Sequence, residues 1–148
     1  MTVALIDYGA GNLHSVHNAL KAAGASNVAV TADPGLVAKA DRIVLPGVGA
    51  FGACASGLRA IPGMVEALDQ RVLKDAAPFL GVCVGMQLLA KAGEELGTHR
   101  GLGWLDGTVL VQPSADVILT VFADAWSGAP GGSLLGVGPA PEVRLAGG

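Results

Sequence analysis

The sequence predicts an α/β fold, a mostly parallel sheet with helices on both faces. Short apolar runs rich in β-branched residues alternate with segments whose apolar residues recur at helical spacing. The strand runs show little polar alternation, which is typical of parallel strands covered on both faces. With 148 residues and 51% hydrophobic content, the chain is long enough to bury a core and too apolar to be disordered.

The predicted elements follow one another along the first 110 residues. A strand over 3–7 precedes a helix that Asn12 can cap and that Gly24 can end. The later elements are a strand over 27–31, a short helix opened by Asp33-Pro34, a strand over 42–46, helices over 53–60 and 64–75, a strand over 78–82 and a helix over 84–96.

The composition changes near residue 111. Residues 111–148 hold 4 of the 8 prolines and no histidine. We therefore expect an α/β domain at 1–110 and a divergent Gly/Ala/Pro-rich tail at 111–148, flexible except for one candidate strand at 116–125.

Charge and composition argue against several classes of function. The net charge of -3 without a basic cluster argues against nucleic acid as a partner, and no apolar stretch is long enough to span a membrane. Two cysteines are too few for a disulfide framework or a zinc site. The first segment has no basic start and is not a signal peptide. We expect a soluble, cytoplasmic protein without metal or cofactor.

Three glycine-rich segments follow predicted strands, and we expect them to meet at one rim of the sheet. In parallel α/β folds the chemistry lies at the carboxyl ends of the strands. The three segments are DYGAGN at 7–12, LPGVGAFG at 45–52 and GVCVGMQ at 81–87.

Cys83 is the candidate nucleophile of this rim. Gly81 and Gly85 flank it at i−2 and i+2, a pattern that parallels the G-x-S-x-G nucleophile elbow. A helix N-terminus after the thiol would help to stabilise a thiolate. A buried core cysteine is the alternative, and spacing alone does not separate the two interpretations. The flanking glycines favour the nucleophile.

A thiol that attacks a carbonyl group needs donors for the oxyanion that forms. The amide of Val84 is one candidate, and the loop containing Gly47, Val48 and Gly49 can supply a second. Alone, this loop would be interpreted as an ordinary tight turn.

The remaining polar candidates are weaker. Position 14, where a dinucleotide loop would carry its third glycine, is His14, so nicotinamide binding is not expected. Asp7 is interpreted as a loop-organising acceptor or an interface residue. His14 and His17 are expected to be solvated, Cys54 to serve in packing, and His99 to lie in a surface loop.

Together, DYGAGNLHSV, LPGVGAFG and PFLGVCVGMQLL resemble the class I glutamine amidotransferases. More narrowly, they resemble the glutaminase subunits of imidazole glycerol phosphate synthase, an enzyme of histidine biosynthesis. GLGWLDGTV at 101–109 also fits that pattern, and the resemblance covers about residues 1–110. Val84 stands where leucine is usual.

The resemblance implies that Cys83 attacks the side-chain amide of glutamine and releases ammonia. It implies that Gly47, Val48 and Val84 hold the oxyanion and that Gln87 helps to position the substrate. Ammonia would pass to a (β/α)₈ cyclase partner in a heterodimer, with Asn12 near that partner, and no cofactor is implied.

The family pattern also contains a late histidine with an acidic residue two positions on, and nothing here matches it. No histidine follows His99. We therefore expect a C-terminal part that is truncated or read in a shifted frame, and little turnover by the chain as written. Two alternatives to a glutaminase stay open: an inactive remnant that at most binds a cyclase, and a cysteine redox or chaperone-like relative.

Overall fold

A six-stranded sheet forms the centre of the computed structural model, which describes residues 1–110 and the strand segments 118–123, 134–139 and 142–145. Its strand order is β2-β1-β3-β4-β9-β8. All neighbouring strands are parallel except β8, which is antiparallel to β9 at one edge. The mostly parallel sheet predicted from the sequence is confirmed. The six strands are β1 (Thr2–Ile6), β2 (Asn27–Thr31), β3 (Arg42–Leu45), β4 (Phe79–Val82), β8 (Ile118–Ala123) and β9 (Leu134–Pro139).

Helices connect the parallel strands, and two of them begin at the caps that the sequence predicts. The Asn12 Oδ1 accepts a hydrogen bond from the Ser15 N–H at 3.1 Å, and the Asp33 Oδ1 accepts one from the Gly35 N–H at 2.8 Å. Pro34 occupies the first position of the second helix. The helices are α1 (Leu13–Ala22), α2 (Pro34–Val37), α3 (Phe51–Arg59), α4 (Met64–Leu68), which continues as a π-helix over Asp69–Lys74, and α5 (Val84–Gln87).

A second, smaller sheet has the order β10-β7-β5-β6. Its presence makes the predicted helix over 84–96 wrong beyond its first turn, because α5 ends at Gln87 and a strand follows. A continuing helix would need the carbonyls of Leu88 and Leu89 for its own amides. Those carbonyls instead accept from the amides of Leu102 and Leu105, at 2.6 and 2.8 Å. The strands are β5 (Ala90–Glu94), β6 (Thr98–Arg100), β7 (Leu105–Leu110) and β10 (Glu142–Leu145).

Apolar side chains cover both faces of the large sheet. On one face, strand residues such as Ile6 and Leu45 pack with Phe51 and Leu58 of α3 in the larger cluster. On the other face, Val3, Leu5 and Val44 form a smaller cluster against α1. Burial of one such side chain contributes about 1.5–3 kcal/mol, so these clusters hold the rim loops on a rigid base.

Three strands lie in the segment after residue 110, for which the composition predicts a flexible tail with one candidate strand. β8 lies inside the candidate strand at 116–125, while β9 pairs with β4 and β10 pairs with β7. Residues 111–117 and 124–133 lie outside the described residues, and the division of the chain at residue 110 stays a prediction. Across the part that is described, no helix has the length and apolar character needed to cross a membrane.

Candidate active site

Cys83 occupies the junction between β4 and α5, as the sequence predicts. Its φ of 57° and ψ of -123° are unusual for a residue with a side chain. Backbone strain of this kind costs about 1–3 kcal/mol and is typical of functional sites. The Cys83 carbonyl accepts from the Met86 N–H at 3.0 Å, which closes the turn into the helix. The side chain is partly exposed. A buried core cysteine, the alternative interpretation, does not fit this geometry.

The two flanking glycines allow close backbone contacts around this elbow. A Cβ at Gly81 would lie 2.7 Å from the Cα of Met86. At Gly85, a Cβ would overlap the carbonyl oxygen of Leu45 and lie 2.8 Å from that of Pro46. Neither position has room for a side chain, because the neighbouring atoms belong to the backbone. Gly81 therefore lets β4 lie close to the start of α5, and Gly85 lets α5 lie against the end of β3.

The loop after β3 lies directly beside the elbow. A Cβ at Gly47 would overlap the amide nitrogen of Gly85 and lie 2.9 Å from the carbonyl carbon of Val84. Pro46 and Gly47 are buried, whereas the Val48 side chain is 60% exposed. The loop thus presents its backbone to the elbow and the side chain of Val48 to solvent.

The first turn of α5 supplies the second group of candidate donors. Val84 is the first helical residue, so its N–H has no intrahelical acceptor and can donate to a bound group. Gln87, the last residue of α5, is half-buried and donates its N–H to the Cys83 carbonyl at 3.3 Å. Because α5 is a single turn, the long helix that the sequence predicts after the thiol is not present.

Tyr8 is a site residue that the sequence reasoning missed. It follows β1, is only 6% exposed, and donates its hydroxyl to the Pro46 carbonyl. Burial raises the pKa of Tyr8 well above its ordinary range, and the nearby thiols of Cys54 and Cys83 raise it further. Its position at the carboxyl end of a rim strand was the signal that could have identified it.

Cys54 of α3 is buried, as its interpretation as a packing residue requires, but it also contacts the loop. Its Sγ donates to the Val48 carbonyl at 3.3 Å. Burial raises the pKa of the Cys54 thiol, although hydrogen bonds with Tyr8 and Val48 act in the opposite direction. The carboxylate of Glu95 accepts from the Phe51 N–H at 2.8 Å and so fixes the start of α3. Sequence spacing gives no sign of the contact of Glu95, which joins residues 44 apart in sequence, or of the Cys54 thiol turning back to the loop before its own helix.

The sequence profile of the family described as "Glutamine amidotransferase class-I" matches residues 4–122. The chain belongs to this family. A crystal structure of a glutamine amidotransferase is similar with a TM-score of 0.69 and 21% identity, over 99% of this chain and 76% of that one. That likeness supports the class I amidotransferase fold.

Several curated relatives of this amidotransferase chain carry the name imidazole glycerol phosphate synthase subunit HisH. The protein of Zymomonas mobilis is 64% identical over 110 residues, which are 73% of this chain and 52% of that protein. The protein of Rhodospirillum rubrum is 53% identical over 132 residues, or 86% of this chain and 62% of that protein. The protein of Caulobacter vibrioides is 50% identical over 131 residues, or 85% and 61%. The chain thus spans about half to three-fifths of the length of these relatives.

The three histidines of this amidotransferase chain lie on α1 and β6. His14 is exposed on α1 and hydrogen-bonds to Asn18 at 3.1 Å, and His17 is half-buried on the same helix. The expectation of a surface loop for His99 is wrong, because His99 lies in β6 and its ring occupies the space beside Gly52. Among the described residues, no histidine hydrogen-bonds to Cys83.

The first rim loop has an internal hydrogen bond, and the polar side chains of the described residues do not form a metal site. The Asp7 Oδ1 accepts from the Gly9 N–H at 3.3 Å, which fits the role of a loop-organising acceptor. Among the described residues, no three His, Cys, Asp or Glu side chains cluster in a way that could hold a metal ion. The groups that the structure does bring together are a thiol, backbone amides and a buried phenol.

Proposed function

We propose that this chain carries the nucleophile and oxyanion loop of a glutaminase that releases ammonia from glutamine. The observation that carries the proposal is the strained elbow at Cys83 with the Gly47 backbone packed against Val84 and Gly85. Membership in the class-I glutamine amidotransferase family supports the same reaction, and it argues against the redox alternative.

In the proposed reaction, the Cys83 sulfur forms a bond to the side-chain carbonyl carbon of glutamine. The carbonyl oxygen becomes an oxyanion, held by the Gly47–Val48 peptide and by the Val84 N–H, while Gln87 helps to position the substrate. The C–N bond then breaks, the thiol proton leaves with ammonia, and a γ-glutamyl thioester remains. Water hydrolyses the thioester to glutamate and restores the thiol. Gly49 gives the loop its turn, with a φ of 92°.

The partner proposed for this reaction is the (β/α)₈ cyclase subunit of imidazole glycerol phosphate synthase, in the cytoplasm. Relatives at 48–64% identity carry the name of the HisH subunit of that synthase, which supports a heterodimer in histidine biosynthesis. Ammonia would pass to the cyclase, with Asn12 in the first rim loop close to it. An inactive cyclase-binding remnant is not favoured, because the chain keeps the strained elbow and the glycines around it.

Covalent labelling tests the assignment of the nucleophile. A chloroketone analogue of glutamine should label Cys83 in the full chain, and Cys83→Ala should abolish the labelling. Peptide mapping by mass spectrometry identifies the thiol, and far-ultraviolet circular dichroism checks that the variant is folded. Labelling of Cys54 in place of Cys83 would refute the proposal.

A further inference from the structure

Two buried side chains contact the backbone of the loop after β3, one on each side of the Gly47–Val48 peptide. The Tyr8 hydroxyl donates to the Pro46 carbonyl, and the Cys54 thiol donates to the Val48 carbonyl at 3.3 Å. Tyr8 is 6% exposed and Cys54 is 1% exposed. Because both donors are shielded from water, these hydrogen bonds constrain the loop more than exposed ones would.

The two donors belong to elements that the core holds firmly. Tyr8 and Cys54 are both part of the larger core cluster. The Tyr8 backbone lies against α3, since a Cβ at Gly57 would come within 2.9 Å of the Tyr8 carbonyl oxygen. The loop is therefore tied to β1 by one hydrogen bond and to α3 by the other.

We propose that Tyr8 and Cys54 are positioning residues that aim the Gly47–Val48 peptide at the oxyanion formed on Cys83. This inference rests on the glutaminase function proposed above. Neither side chain needs to touch the substrate. Their effect comes through the two peptide groups that flank the donor, because an oxyanion donor acts only within about 2.7–3.1 Å of the developing charge.

The test compares two reactions of the same thiol in the full chain. Acylation of Cys83 by γ-glutamyl p-nitroanilide forms an oxyanion and releases p-nitroaniline, which absorbs visible light. Alkylation by iodoacetamide occurs at a saturated carbon and forms no oxyanion. The ratio of the acylation rate to the alkylation rate therefore reports how well the loop is placed to stabilise the oxyanion. A general loss of structure would change both rates.

Tyr8→Phe should lower this ratio about tenfold, less than the roughly 10²–10³-fold loss expected when an oxyanion donor itself is removed. Cys54→Ala should lower it about fivefold, the size of one ordinary hydrogen bond, and Cys54→Ser should restore much of the loss because it keeps a donor. The control is Thr31→Val, which removes a buried hydroxyl that accepts from the Asp33 N–H at 2.9 Å, and it should leave the ratio unchanged.

An unchanged ratio in Tyr8→Phe would overturn the role of Tyr8. If that variant does not fold, the Cys54→Ala and Cys54→Ser pair decides, because equal ratios in the two would refute positioning by this pair of donors. Failure of the glutaminase proposal has a different signature. Cys83 of the unchanged chain would then be alkylated by iodoacetamide but not acylated, and the positioning role would fall with it.

Discussion

The elbow at Cys83 and the loop after β3 lie against each other, but different forces hold them. The elbow is fixed by backbone packing, since side chains at Gly81 or Gly85 would overlap neighbouring main-chain atoms. The loop shares this packing at Gly47, and hydrogen bonds from Tyr8 and Cys54 also hold the peptide groups on either side of the Gly47–Val48 peptide. A side chain added at a packed glycine cannot be accommodated without moving the backbone. Removal of one hydrogen bond, by contrast, costs only about 0.5–1.5 kcal/mol. The position of the nucleophile thus depends on packing, whereas the position of its oxyanion donor depends on packing and on two side-chain hydrogen bonds.

The largest expected effect concerns turnover. The elbow and the loop supply a nucleophile and an oxyanion site, but hydrolysis of the thioester also needs a base. His14, His17 and His99 are the three histidines of the chain, and among the described residues none of them hydrogen-bonds to Cys83. We expect acylation of the 148-residue chain with hydrolysis slower on the order of a million-fold than in a complete triad.

Measurement of ammonia release and of glutamate formation, with and without a cyclase subunit, tests this expectation against Cys83→Ala as the blank. The expected result is about one ammonia released per chain with almost no glutamate, because the thioester forms and is not hydrolysed. Steady turnover at about 10 s⁻¹, a typical enzyme rate, would contradict it and would mean that another residue serves as the base.

The next largest effect is a loss of folding stability when alanine replaces a glycine. The two variants below separate the cost of steric overlap in the elbow from the cost of a positive φ in the loop. Gly85→Ala should destabilise the fold by about 3 kcal/mol or more, because the added methyl meets the Leu45 carbonyl and cannot be moved aside. Gly49→Ala is the matched control. Its Cβ would meet no atom within 4 Å, so only the positive φ of 92° costs energy, about 1 kcal/mol. Urea denaturation measures both, and equal losses would mean that the elbow is less tightly packed than the structure indicates.

Alkaline pH should lower the stability of the fold through Tyr8, the residue that donates to the loop. The pKa of Tyr8 is raised in the folded chain by burial first and by the Cys54 and Cys83 thiols second. An unfolded tyrosine has a pKa of about 10, so the unfolded chain loses this proton first. The contribution of Tyr8 to stability is therefore fully present below about pH 10 and falls above it, by about 1.4 kcal/mol per pH unit.

Tyr8 is the single tyrosine of the chain, so the absorbance of tyrosinate reports its ionisation directly. We expect that absorbance to appear together with unfolding rather than before it. Tyr8→Phe should flatten the loss of stability above about pH 10 and leave the contribution of Cys54, whose pKa is also raised by burial. Ionisation of Tyr8 near pH 10 in the folded chain would refute the burial of the phenol.

The smallest expected effect concerns the strain at the nucleophile itself. Cys83→Gly should stabilise the fold by about 1 kcal/mol, because glycine adopts a positive φ without cost. Cys83→Ala keeps a Cβ in the same conformation and should give no such gain. The midpoints of urea denaturation compare the two variants, and a stability of Cys83→Gly equal to that of Cys83→Ala would show that the elbow stores no strain.

Local patterns in the sequence were enough to predict the rim. β1, β2, β3 and β4 lie within a residue or two of the predicted strands, and the caps at Asn12 and Asp33 form as expected. The residues that bracket Cys83 also predicted the junction between strand and helix. These features depend on neighbours in the chain, so periodicity and turn chemistry carry the information.

The sequence by itself determined the alternation of strands and helices, the position of the thiol and the glycines that surround it. Only the tertiary structure decided that the chain after Gln87 becomes a strand, since amides from 102 and 105 take the carbonyls that a helix would use. It also decided that Tyr8 and Cys54 hold the loop beside Cys83. Contacts between residues distant in sequence leave no local pattern, because their energy depends on which elements the folded core brings together.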